Sequence, residues 1–220
     1  IATDFLCSSL KEDLIALVLM GGYARGEGTT LDGKTPYNDY DLLVVGPHMS
    51  YYQLKQKQKR CKKLEQELSS LLQFPAEVAY QSLTSLSKSD PSLMNVELQK
   101  GHKVLFGPSN CLSVMPSFTF ADIPLIEGTR LLVNRGSLLL KNDRKYLIKA
   151  CLAMGDTWLL LKGLYTLSYA EKEKLIEEAD ANPWLIDHYK KAIRFKLEGK
   201  IPSFCDEEIK THFICHFFTF

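Results

Sequence analysis

A run of seven apolar residues, Leu14 to Met20 (LIALVLM), stands between Asp13 and the pair Gly21-Gly22. Seven residues are few for a helix and ordinary for a strand, and a strand covered on both faces reads as an unbroken apolar run. The core is therefore expected to form on a sheet. Gly21-Gly22 ends the strand, and YARGE after it reads as a helical turn. A polar loop rich in Gly, Thr, Asp and Pro (Gly28 to Tyr37) then leads to NDYDLLVVG, a second strand closed by Gly46-Pro47. From Ser50 to Gln73, the residues Leu54, Cys61, Leu64, Leu68 and Leu71 recur at spacings of 7, 3, 4 and 3, the mark of an amphipathic helix. A third strand near Glu77 to Leu83, a helix near Ser92 to Lys100 and a short strand KVLFG complete this half.

After Pro116 the strand-like runs stop. Leu147, Cys151, Met154, Trp158 and Leu161 line one helix face, with Gly163 as a stop. Ser168 and Glu171 have the spacing of a capping box, and Asn182-Pro183 reads as an N-cap with proline at the first helical position of a helix ending at Gly199. The expected fold is thus α/β (α+β), with a small mixed sheet over residues 1–115 and an all-helical unit over 116–220. The 220 residues suffice for one large domain or a domain with a helical appendage. Hydrophobic residues at 45% and charged residues at 24% exclude disorder and rod-like coiled coils. The 27 basic against 26 acidic residues argue against a surface built throughout to hold polynucleotide. Six widely spaced cysteines without a CxxC pair read as reduced thiols. No apolar run approaches the roughly 20 residues of a membrane span, and Ile1 to Leu10 lacks the pattern of a secretory signal. A cytoplasmic protein is expected.

The chemistry concentrates between Gly21 and Val45. A glycine pair after a buried strand lets bare backbone approach a ligand, and the N–H groups of the following turn suit phosphate oxygens. Arg25, one turn on, can grip the same phosphates with two parallel hydrogen bonds. Any tight strand-to-helix turn uses glycine, so the pair alone is not specific. Asp39 and Asp41 lie at i and i+2 at the head of a strand, hence on one face with alpha carbons about 6.5 to 7 Å apart. Two carboxylates so placed repel unless a cation sits between them, and hard oxygen ligands suit Mg²⁺ beside nucleotide phosphates. On its own the pair reads sooner as a solvated strand start than as a metal site.

Strand, Gly-Gly, short helix with arginine, loop and D-x-D-hydrophobic together resemble the signature of the polymerase-beta-like nucleotidyltransferases. The nearer likeness is to the minimal nucleotidyltransferases, through Gly21, Gly22, Ala24, Arg25, Gly26 and Glu27, then Asp39, Tyr40, Asp41, Leu42, Leu43 and Val44. The chain departs from that pattern in Gly22, where serine is commoner, and in the sixteen residues between Gly22 and Asp39, which imply a longer loop beside the site. The resemblance implies a third carboxylate on a neighbouring strand, for which Glu77 fits best and Glu97 is the rival. It also implies Asp39, Asp41 and Glu77 as catalytic and metal-binding residues, and Gly21, Gly22 and Arg25 as nucleotide-binding ones. The implied reaction moves a nucleoside monophosphate from a triphosphate, ATP first, to an acceptor hydroxyl with two Mg²⁺ ions, releasing pyrophosphate. The implied acceptor is a small hydroxylated molecule or a protein or RNA end, expected to be held by a helical domain closing the cleft. The alternative class is an antitoxin-like or nucleotide-binding module that docks a partner with little catalysis.

Weaker candidates remain. Glu127, Arg130 and Asn134 share a helix face and, with Lys149 and Asp156, are candidate contacts for acceptor or nucleotide; a routine exposed pair between Glu127 and Arg130 is the plainer reading. KQKQKRCKK over 55–63 offers a polyanion contact or a solvated helix. His212, Cys215 and His216 with Cys205 could bind zinc, but the surrounding phenylalanines favour a helix docked on the core.

Overall fold

The expected first strand forms as β1 (Ala16–Met20), and its side chains from Ala16 to Val18 are buried whichever way they point. The computed structural model describes residues 1–31, 35–141 and 143–220, so Asp32 to Lys34 of the expected polar loop lie outside the described residues. The chain divides into two compact units, one drawn mainly from residues up to Phe118 and the other mainly from Thr119 onward.

In the first unit, α1 (Ala2–Leu10) precedes β1, and the single turn α2 (Gly21–Ala24) follows it. Two short strands, β2 (Thr30–Leu31) and β3 (Thr35–Pro36), occur where the sequence suggested only loop. Then come β4 (Tyr40–Gly46), α3 (Tyr51–Leu72), β5 (Ala76–Ser82), the short α4 (Leu83–Leu86), α5 (Leu93–Gly101) and β6 (Lys103–Phe106). The sheet order is β5-β4-β1-β6. β1 is antiparallel to both neighbours, and β4 runs parallel to β5 across the α3 crossover.

Alternation along the strands assigns the two faces. Leu17 of β1, Leu42 and Val44 of β4, and Ala76, Val78 and Tyr80 of β5 pack with Leu6 and Leu10 of α1 and Cys61, Leu64 and Leu68 of α3. The odd-numbered residues of β4 and β5, Asp41 and Glu77 among them, point to the opposite face. α3 starts with a capping box at Ser50, whose Oγ accepts from Gln53 N while its own N–H donates to Gln53 Oε1 at 2.9 Å. This helix also covers the outer edge of β5. Ser69 Oγ accepts from Ala76 N at 3.0 Å, Glu65 Oε2 accepts from Val78 N at 2.8 Å, and Gln58 Nε2 donates to Tyr80 O at 3.3 Å. Edge-strand groups otherwise open to pairing are thus satisfied by side chains.

The second unit contains α6 (Ile126–Leu139), α7 (Arg144–Leu161), α8 (Tyr169–Glu178), α9 (Pro183–Glu198) and α10 (Asp206–Thr219). Asn182 caps α9 through Leu185 N at 2.8 Å, and Gly199 ends it in the left-handed conformation. The expected capping box at Ser168 is not made. Ser168 occupies the N-cap of α8 without a side-chain capping hydrogen bond, and Glu171 Oε2 accepts from Thr166 Oγ1 at 2.6 Å. α7 is the central helix, and Gly155 lets it approach α9 so closely that an added Cβ would lie 2.1 Å from the Tyr189 ring. Among the described residues, no helix is long and apolar enough to cross a membrane.

Burial of His216 has a consequence for pH. Its Nε2 lies 2.9 Å from Thr157 Oγ1, and Thr157 also donates to the Ala153 carbonyl at 2.8 Å. Desolvation pushes the imidazole down to about 4 from its ordinary 6.5. A depressed histidine favours the folded state when neutral, so its contribution is complete above pH 6.5 and fades as pH falls toward 4. The loss in unfolding free energy between pH 7 and 4.5 is expected to be about 2 kcal/mol larger in the parent than in His216→Gln, measured by urea titration.

Candidate active site

The register of the sheet brings the carboxylates together. Asp41 of β4 pairs with Glu77 of β5 and, on its other side, with Met20 of β1, the residue before Gly21. Paired residues on adjacent strands share a face, and so do residues two apart on one strand. Asp39, Asp41 and Glu77 therefore converge, each offering an oxygen within 4.8 Å of the others. Among the described residues this is the only group of three or more His, Cys, Asp and Glu so arranged. Asp39 and Asp41 are half-buried and Glu77 is exposed, so the cluster opens to solvent on one side. Three acidic oxygens at this separation form a hard donor set that fits a divalent cation such as Mg²⁺.

The Gly-Gly turn lies against this cluster. Gly21 has φ +67, and a Cβ built on it would stand 2.7 Å from Asp41 Oδ2. Glycine is needed there both for the left-handed backbone and for the space the carboxylate occupies. α2 is one turn only, so any help to an anion comes from local N–H groups rather than from a helix dipole. Arg25 directly follows α2, with Nε 3.4 Å from Glu27 Oε2 and Nη1 3.8 Å from Glu97 Oε2. Its Nη1 is buried without a hydrogen-bond partner. A buried guanidinium nitrogen left open in this way fits an anionic oxygen supplied by a ligand.

Tyr40, between the two aspartates, points to the other face. Its ring centroid lies 4.7 Å from that of Tyr23 and 5.1 Å from that of Phe74. Tyr23 is not among the motif residues, yet its hydroxyl donates to Thr29 O at 2.8 Å and accepts from Tyr37 N at 3.1 Å and Asn38 N at 3.3 Å. Burial pushes this phenol above its ordinary value, so it remains a neutral donor. Glu97 is not in the carboxylate cluster; it stands on α5 beside Arg25. Its sequence signal was ambiguous because a helical glutamate gives no indication of which strand turn it faces.

The remaining candidates lie in the second unit. Glu127 is buried, contrary to the exposed pair expected, because its Oε2 accepts from Leu93 N at 3.1 Å while Oε1 meets Arg130. Asn134 Oδ1 accepts from Arg135 at 3.0 Å. Asp156 is buried among α7, α8 and α9, accepting from Tyr189 at 2.5 Å and pairing with Lys172 Nζ at 2.9 Å. Lys149 is half-buried on α7. His212 stacks on Trp184 at 3.8 Å, and His188 lies within 4.0 Å of the same indole, so packing accounts for the His212 ring. In the basic stretch of α3, Lys57 and Arg60 both bind Asp13, at 2.5 and 3.2 Å, and Lys62 pairs with Glu65 at 2.9 Å. Half of its six cations thus serve the fold.

Residues 3–103 match the family model described as a nucleotidyltransferase domain. No curated protein matches the chain significantly. Among solved structures, the chain resembles spectinomycin adenyltransferase AAD(9) from Enterococcus faecialis, determined with ATP and spectinomycin. Identity is 12%, the TM-score is 0.61, and the match covers 98% of this chain and 96% of that one, a likeness of fold. Residues 3–103, the span that matches this family model, hold the Gly-Gly turn and all three clustered carboxylates.

Proposed function

We propose that this chain transfers a nucleoside monophosphate from ATP to a hydroxyl of a small polyhydroxylated acceptor, with release of pyrophosphate and with dependence on Mg²⁺. The observation that carries the proposal is the convergence of Asp39, Asp41 and Glu77 within 4.8 Å beside a glycine turn whose next arginine has an open, buried nitrogen. The fold-level neighbour, solved with ATP and spectinomycin, supports the choice of nucleotide and the class of acceptor.

In this reading Asp39 and Asp41 hold the cation, and Gly21 and Gly22 let the triphosphate approach Asp41. Arg25 takes phosphate oxygens through Nη1, which has no hydrogen-bond partner, its charge steadied by Glu27 and Glu97. Glu77, the exposed member, faces the side from which an acceptor arrives and accepts the proton of its hydroxyl. Bound Mg²⁺ neutralises charge on the entering and leaving oxygens of the in-line displacement. The chain supplies position and charge and forms no covalent bond to the nucleotide.

The test is incubation with each labelled triphosphate, Mg²⁺ and a panel of aminocyclitols, aminoglycosides and sugars, scored for pyrophosphate and labelled product. ATP is expected to give both with at least one acceptor. A chain that gains heat stability from Mg²⁺ and ATP yet turns over with no acceptor would instead be a nucleotide-binding docking module. Arg25→Lys keeps the charge but loses the planar fork, and is expected to raise the KM for ATP about tenfold or more in steady-state kinetics.

A further inference from the structure

Asp39 is the member of the cluster that the sheet does not hold. β4 begins at Tyr40, whose N–H donates to Pro75 O at 3.0 Å, and the paired register starts at that residue. Asp41 lies in the ladder between β1 and β5, and Glu77 is paired to β4, so both backbones are fixed by the sheet. A metal ligand outside the ladder needs another anchor if its oxygen is to stay near the other two. The described residues supply one. The N–H of Asn38, immediately before Asp39, donates to the hydroxyl of Tyr23 at 3.3 Å. The same oxygen accepts from Tyr37 N and donates to Thr29 O, which uses its one proton and both lone pairs. Tyr37 N also reaches Thr29 O directly at 2.9 Å, so that link survives without the phenol, whereas the hold on Asn38 is the hydroxyl's own contribution.

The ring that carries this hydroxyl is itself fixed. It packs at a tilt against Tyr40, and it fills the space beside Gly28, where an added Cβ would lie 2.0 Å from Tyr23 Cδ1. Tyr23 also sits within α2, the turn opened by Gly21 and Gly22. One helical turn therefore carries both Gly21, which faces Asp41, and the phenol that fixes the approach to Asp39.

We propose that Tyr23 is a positioning residue for the metal site, its hydroxyl tying the peptide before Asp39 to the Gly-Gly turn so that Asp39 meets a divalent cation together with Asp41 and Glu77. This rests on the metal-dependent reading above. It predicts that the hydroxyl acts on metal affinity first and on turnover through it.

The test uses the full chain and Tyr23→Phe, which keeps the ring on Gly28 and Tyr40. Mn²⁺ binding is measured directly by electron paramagnetic resonance without nucleotide, and then the Mg²⁺ dependence of turnover is followed. The variant is expected to bind Mn²⁺ about tenfold more weakly, within the range of outer-shell substitutions at metal sites. Its half-saturating Mg²⁺ should rise in parallel, and kcat at saturating Mg²⁺ should return close to the parental value. A purely structural role would lower the melting temperature while leaving Mn²⁺ affinity unchanged, and that result overturns the proposal. Equal half-saturating Mg²⁺ with a depressed kcat does the same. If the parent chain itself binds no Mn²⁺, the metal-dependent function fails together with this inference; if the parent binds and the variant binds equally, only the inference fails.

Discussion

Asp41→Asn is expected to lower nucleotidyl transfer about a thousandfold or more while leaving the chain at least as heat-stable as the parent. The two halves of that outcome have one cause. Asp39, Asp41 and Glu77 offer oxygens within 4.8 Å of one another. Like charges at that distance repel by about 3 kcal/mol at an effective dielectric near 20. Without a cation the cluster works against the fold, so neutralising its central member relieves strain. With a cation the same charge stabilises the transition state, and a metal's contribution of several kcal/mol corresponds to three or more powers of ten in rate. Transfer kinetics give the first half and a melting curve in chelator the second. Mg²⁺ should raise the melting temperature of the parent and shift Asp41→Asn less. A variant that turned over at the parental rate would remove the functional reading.

Gly21→Ala should be nearly as damaging, but with loss of stability as well. The methyl group would sit 2.7 Å from Asp41 Oδ2, closer than real Cβ contacts come, and φ is +67 at this position. The left-handed backbone alone costs a non-glycine residue about 1 to 2 kcal/mol. The collision adds to this, and it can be relieved only by moving the Asp41 carboxylate or the turn itself. Since a misplacement of about 1 Å can cost a hundredfold in rate, kcat is expected to fall by about that factor or more. The urea midpoint should fall by an amount corresponding to about 2 kcal/mol or more. Steady-state kinetics and a urea titration would separate this variant from Asp41→Asn, which loses rate without losing stability.

The parts of this architecture that follow from short-range rules were legible in the sequence. The apolar run before Gly21, the two-residue spacing of Asp39 and Asp41, and the repeat of Leu64 and Leu68 in α3 each dictate a local geometry, and the sheet and its long crossover helix follow from them. Glu77 was reached through the family resemblance and its place after the long helix, whereas the parallel register that sets it beside Asp41 is visible only in the structure. What escaped depends on contacts between distant segments. Nothing in the spacing of Tyr23 shows that its hydroxyl will meet Thr29, Tyr37 and Asn38. Nor does Glu127 advertise that the chain at Leu93 will bury its carboxylate. Ser168 and Glu171 have the spacing of a capping box, yet Ser168 makes no side-chain cap and Glu171 accepts from Thr166.

The outer rim of β5 is closed by Gln58, Glu65 and Ser69 of α3 instead of by another strand. A foreign strand seeking to extend the sheet on that side must first displace the helix, so template-driven aggregation is blocked where the acidic cluster is most exposed. The same arrangement joins helix and strand in one opening event: the Ala76 and Val78 amides, though outermost, become free for solvent exchange only when α3 lifts away.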